Sequence, residues 1–75
     1  MKEFLENIAK MLVDNKDAVR VTEEETDDGI YLRLSVAEEE TGRVIGKDGR
    51  IAKAIRTIIR SGAKNRGKQV YVDIE

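Results

Sequence analysis

Apolar residues recur along this chain in two rhythms, and the switches between them predict six elements. In residues 2–13, Leu5, Ile8 and Leu12 recur at helical spacing with Phe4 and Ala9 beside them, so an amphipathic helix is expected. The cluster Asp14-Asn15-Lys16-Asp17 ends it. Residues 18–25 read as a strand through Val19 and Val21 that turns acidic at Glu23–Glu25. Asp27-Asp28-Gly29 is a turn signal. Beyond it Ile30, Leu32, Leu34 and Val36 alternate with Tyr31, Arg33 and Ser35, the period of a half-buried strand. The two strands are expected to form a hairpin.

Residues Glu38–Gly42 predict a helical turn or two. Arg50 to about Ser61 carries the strongest helical pattern in the chain. There Ile51, Ala54, Ile55 and Ile58 fall on one face and Arg50, Lys53, Arg56 and Arg60 on the opposite one. Gly62 is the expected stop, with a turn running on to Gly67 as the alternative. Val70, Val72 and Ile74 then alternate with Gln69, Tyr71 and Asp73 in a last strand. The order is α-β-β-α-α-β. A crossover containing two helices lets the strands at 30–36 and 69–74 pair in parallel, which a tight turn cannot do. The expected fold is α+β: a three-stranded mixed sheet with helices packed on one face. Tyr31, Arg33, Tyr71 and Asp73 would point from the other.

Length and composition narrow the class. At 75 residues the chain reads as a single domain, 1–75, near the lower limit for folding alone. It has no cysteine and no histidine, so no disulfide, thiolate metal site or usual catalytic base is available. The acidic stretches Glu23–Glu25 and Glu38–Glu40 are runs rather than converging pairs, and neither a metal site, a cofactor nor an enzymatic activity is expected. No apolar run could span a membrane and the N-terminus is not a signal peptide, which makes the cytoplasm the default location. The net charge of −1 hides an uneven distribution. Residues 1–40 hold five basic and twelve acidic side chains; residues 41–75 hold nine and three. The basic half suits a polyanion and the acidic half repels wrong dockings.

The basic charge surrounds a glycine loop. In Gly42–Arg56, GRVIGKDGRIAKAIR, the apolar pair Val44-Ile45 leads into Gly46, Lys47, Asp48 and Gly49, and an amphipathic basic helix leads out. Glycine lets an anion lie against the backbone, and the N–H groups that open the following helix attract it. Lys47 and Arg50 add cations, and Asp48 is placed to cap that helix. The two glycines are too close for a P-loop and too few for a dinucleotide fingerprint. A nucleic-acid phosphate is the anion that best fits.

The segment V-I-G-K-D-G-R-I-A-K-A-I-R resembles the G-x-x-G segment of a KH domain, and the element order resembles the type II, or prokaryotic, KH topology. Over its whole length the chain is similar to the small single-domain bacterial RNA-binding proteins of the KhpA type. The resemblance implies binding of single-stranded RNA, with the loop clamping about four nucleotides; single-stranded DNA is not excluded. Carried over by position, Gly46, Lys47, Asp48 and Gly49 would be the clamp. Val44, Ile45 and Ile51 would be the apolar floor beside it, and Arg50 and Lys53 would flank the phosphate track. Ala52 departs from the bulky aliphatic usual in KH domains, and Ile51 and Ile55 would take over its packing. An RNA chaperone or post-transcriptional regulator follows from that family. The resemblance also implies self-association and pairing with a larger, Jag-type KH protein. From the residues, Ile59 and Ala52 lie at the edge of the apolar helix face, either as core or as a seam for a second copy. The alternative function is therefore a dimerisation module that meets RNA only with its larger partner.

Overall fold

A computed structural model describes residues 1–64 and 67–75. Six elements follow the expected order: α1 (Lys2–Leu12), β1 (Arg20–Thr26), β2 (Gly29–Ser35), α2 (Thr41–Ile45), α3 (Arg50–Lys64) and β3 (Val70–Ile74). Single 3-10 turns at Lys16–Ala18, Glu38–Glu40 and Lys47–Gly49 join them. The sheet order is β1-β2-β3. β1 and β2 pair antiparallel with Val21 opposite Leu34, and β2 and β3 pair parallel with Leu32 opposite Val72. The mixed α+β sheet expected from the two-helix crossover is the one present.

Alternation along the strands puts Val21, Leu32, Leu34, Val70 and Val72 into one core with Leu5 and Ala9 of α1 and Ile55, Ile59 and Ala63 of α3. The intervening Thr22, Glu24, Tyr31, Arg33, Tyr71 and Asp73 are exposed, so the helices cover one face and leave the other open. Glu23 and Glu25 share the inward parity of Val21 yet are exposed, because the far end of the hairpin overhangs the core.

Two expectations about α3 change. First, the helix continues past Gly62 to Lys64. Ala63 is buried in the core, and that burial carries the helix beyond the glycine. The N–H groups of Gly67 and Lys68 donate to the carbonyls of Lys64 and Ala63, the bonding pattern of a glycine-ended helix. This is the alternative in which the turn runs on to Gly67; residues 65–66 of that turn lie outside the described residues. Second, the buried stripe is Ala52, Ile55, Ile59 and Ala63, not Ile51, Ala54, Ile55 and Ile58. Ile59 is fully buried while Ile58 is 47% exposed. Two helical stripes share Ile55, and the one richer in alanine faces the sheet because small side chains let the helix approach closely. Ala52 and Ile59 are thus core and form no exposed seam.

Candidate nucleic-acid interface

The loop at 46–49 begins where α2 ends. Val44 is fully buried, which anchors α2 from below. It belongs to the core and presents no surface to a ligand, a correction to its expected place in an apolar floor. Ile45 and Ile51 are half-buried at the loop's base. Gly46 closes α2 by donating its N–H to the Gly42 carbonyl at 2.8 Å and takes φ 76°. A methyl on Gly46 would meet Ile51 Cγ1 at 2.6 Å, so this glycine is required by packing as well as by backbone conformation. Gly49 also has positive φ, 74°, but its Cβ position faces open space.

Between the glycines, Asp48 adopts φ 58°, a left-handed conformation that aspartate tolerates better than most side chains. It does not cap α3: its carboxylate accepts no hydrogen bond among the described residues. The N–H groups of Gly49 and Arg50 are consumed inside the turn, bonding to the carbonyls of Gly46 and Lys47. Lys47 and Asp48 make up the loop tip, and both are exposed.

The surrounding cations are available. Lys47, Arg50 and Lys53 are exposed. Among the described residues, neither they nor Arg56, Arg60 and Lys64 have a carboxylate within ion-pair distance, whereas Arg33, Arg43 and Lys68 do. Arg56 is half-buried and its Nε donates to the Val72 carbonyl at 3.2 Å, tying α3 to the edge strand β3. Gly46, Lys47, Asp48, Gly49, Arg50, Ile51 and Lys53 thus share one stretch from the end of α2 to the first turn of α3.

Sequence reasoning missed how α2 is held. Glu40, which ends the acidic run, is only 6% exposed. Its carboxylate accepts the N–H groups of Asp14 at 2.6 Å and Asn15 at 2.8 Å, and Arg43 lies 3.5 Å from it. Arg43 also pairs with Asp14 at 3.1 Å. These charge-assisted bonds fasten the end of α1 to the start of α2 and so fix the helix that delivers the loop. The i,i+3 spacing of Glu40 and Arg43 was the available signal; the partners 25 and 26 residues away had none.

An α-β-β-α-α-β sheet-and-helix layer with a G-x-x-G turn between α2 and α3 defines a KH domain. The KH-domain model of KhpA/KhpB matches residues 2–74, and the chain belongs to that family. Curated relatives carrying the name RNA-binding protein KhpA include one from Clostridium acetobutylicum, 54% identical over 99% of both chains. Another, from Bacillus subtilis, is 46% identical over 99% of this chain and 91% of its own. Among solved structures, Aquifex aeolicus Era in complex with GDP·AlF4− superposes with a TM-score of 0.71 at 24% identity. That match covers 97% of this chain and 28% of Era and speaks to the fold alone. The family is non-enzymatic, and the site is one of binding rather than turnover. Among the described residues no helix is long and apolar enough to cross a membrane.

Proposed function

We propose that this chain binds single-stranded RNA in the cytoplasm of a bacterium, using the loop at 46–49 as a phosphate clamp. The observation that carries this is the loop tip itself, an open glycine set beside exposed cations that have no carboxylate partner among the described residues. Backbone donors and mobile cations hold a phosphate without reading its base. The named activity of the curated relatives supports the same reading. Such a binder, tolerant of sequence, acts as an RNA chaperone or post-transcriptional regulator.

Fluorescence anisotropy with a short labelled RNA tests this. Wild-type affinity should fall with salt at a log–log slope of roughly −3 to −4, as expected for four to six phosphate contacts on a single strand. Lys47→Asp should lower affinity about tenfold and make the slope shallower. Salt-independent binding, or equal binding by the variant, would overturn the clamp. The same titration with DNA of matching sequence reports whether the 2′-hydroxyl matters.

A second reading, self-association, is favoured by large apolar side chains on the outer sides of the packed helices α1 and α3. Phe4 is 49% exposed and Ile58 47%. A homodimer joined there would present two clamps and gain avidity; a larger KH protein of the Jag type could occupy the same surface. Analytical ultracentrifugation decides for self-association if a dimer forms as concentration rises, and against it if the chain stays monomeric.

A further inference from the structure

At the far end of α3 from the glycine loop, a cleft of about 470 Å³ wraps the edge of β3. Its lining includes Arg60 and Lys64 of α3, Lys68 of the following connection, and Tyr71 of β3. β3 is an edge strand with β2 on one side only. Tyr71 stands directly opposite Tyr31 on β2, and the rings stack with centroids 4.8 Å apart and planes 18° from parallel. Tyr31 therefore covers the side of the Tyr71 ring that faces the sheet. Tyr71 also lines the cleft and remains 39% exposed. A hydrogen bond from the Tyr71 hydroxyl to Gln69 Oε1 at 2.5 Å fixes its tip.

We propose that this cleft is a nucleobase-stacking subsite, in which a base of a single-stranded RNA lies on Tyr71 and its phosphates meet Arg60 and Lys64. The proposal rests on the reading of the loop as an RNA clamp and extends it. α3 is 15 residues long, about 22 Å, so a strand whose roughly four nucleotides are centred on the G-x-x-G loop stops short of the cleft. Lys53, Arg56 and Arg60 mark the path between the two, on the flank of α3 that Arg56 ties to β3. An aromatic face next to unpaired cations is the usual construction for sequence-tolerant binding of single strands. Charge also favours this cleft over its neighbour. The neighbouring cleft beyond the ring is bordered by Glu25, Asp27 and Asp28, which repel phosphate. Lys68 is already paired with Glu25, leaving Arg60 and Lys64 as the cations for the strand. The acidic hairpin thereby ends the track at Tyr71.

The test compares affinities for a tetranucleotide and an octanucleotide of uridine in the wild type, Tyr71→Leu and Tyr71→Phe. The ratio of the two affinities removes the statistical gain from extra binding registers, which all three proteins share. The wild type and Y71F should show a ratio about fivefold or more above that of Y71L, while all three bind the tetranucleotide alike. The ring protons of wild-type Tyr71 should move upfield with the octanucleotide and not with the tetranucleotide. Tetranucleotide binding with equal ratios in the wild type and Y71L, and no ring shift, overturns the subsite and leaves the clamp intact. Absence of binding to either oligonucleotide by the wild type overturns the clamp and the subsite together.

Discussion

The hairpin turn at 27–29 and the loop at 46–49 each set a positive-φ glycine beside aspartate, yet their surroundings are opposite. At Gly29, φ is 143° and a methyl would sit 2.5 Å from the Gln69 carbonyl oxygen. The turn is closed on itself: the Asp28 N–H donates to Thr26 Oγ1, and the Ile30 N–H donates to that same Gln69 carbonyl. Acidic side chains surround it. At Gly49 nothing lies within 4 Å of the Cβ position, and the exposed side chains of Lys47 and Arg50 nearby are cations. One glycine admits the protein's own backbone; the other leaves room for a ligand's. A glycine pattern alone does not separate these cases. The space at the glycine and the sign of nearby charge do.

The comparison breaks most visibly at Gly29. Gly29→Ala adds a methyl where a backbone carbonyl already sits, in a conformation hostile to side chains, and should cost about 3 kcal/mol in urea denaturation. A loss below about 1 kcal/mol would mean that the hairpin tip does not pack against the β3 entrance as described. RNA affinity of the folded fraction should be unchanged. Gly49→Ala should cost only about 1 kcal/mol, because the strain is there without the collision. Its larger consequence is expected at the clamp, where the methyl fills the approach to the backbone: anisotropy should show about tenfold weaker RNA binding. Wild-type affinity in that variant would move the clamp elsewhere. The smallest effect belongs to the acidic tip. Replacing Asp27 and Asp28 by Asn should shift stability by no more than about 0.5 kcal/mol. It should raise RNA affinity about twofold at low salt, a gain that vanishes as salt screens the charges. An unchanged affinity at low salt would show that the hairpin does not shape the RNA path.

The elements themselves were legible because their periods are strong. Alternation in 30–36 and 70–74, and helical spacing in 2–13 and 50–61, gave the α+β order, and the long two-helix crossover gave the parallel pairing. The loop was legible too, because glycine spacing and charge lie within four contiguous residues. The inward face of α3 was not. Two stripes through Ile55 fit the pattern, and summed apolarity favours the isoleucine-rich one, whereas close approach to the sheet selects the alanines at 52 and 63. Val44 reads like part of the loop because it adjoins it in sequence, but a helical turn directs its side chain into the core.

What the sequence determined by itself is what depends on neighbours along the chain: the period of each element, the glycine turns and the split of charge between the halves. What only tertiary structure decided depends on groups far apart in sequence. The burial of Glu40 against the Asp14 and Asn15 amides needs the end of α1 beside the start of α2. The stack of Tyr31 on Tyr71, and the cleft that Tyr71 shares with Arg60 and Lys64, need the register of β2 with β3 and the seat of α3 above them. Hydrogen bonds and ring stacking act over a few ångströms, and no local pattern encodes which distant residues will come that close.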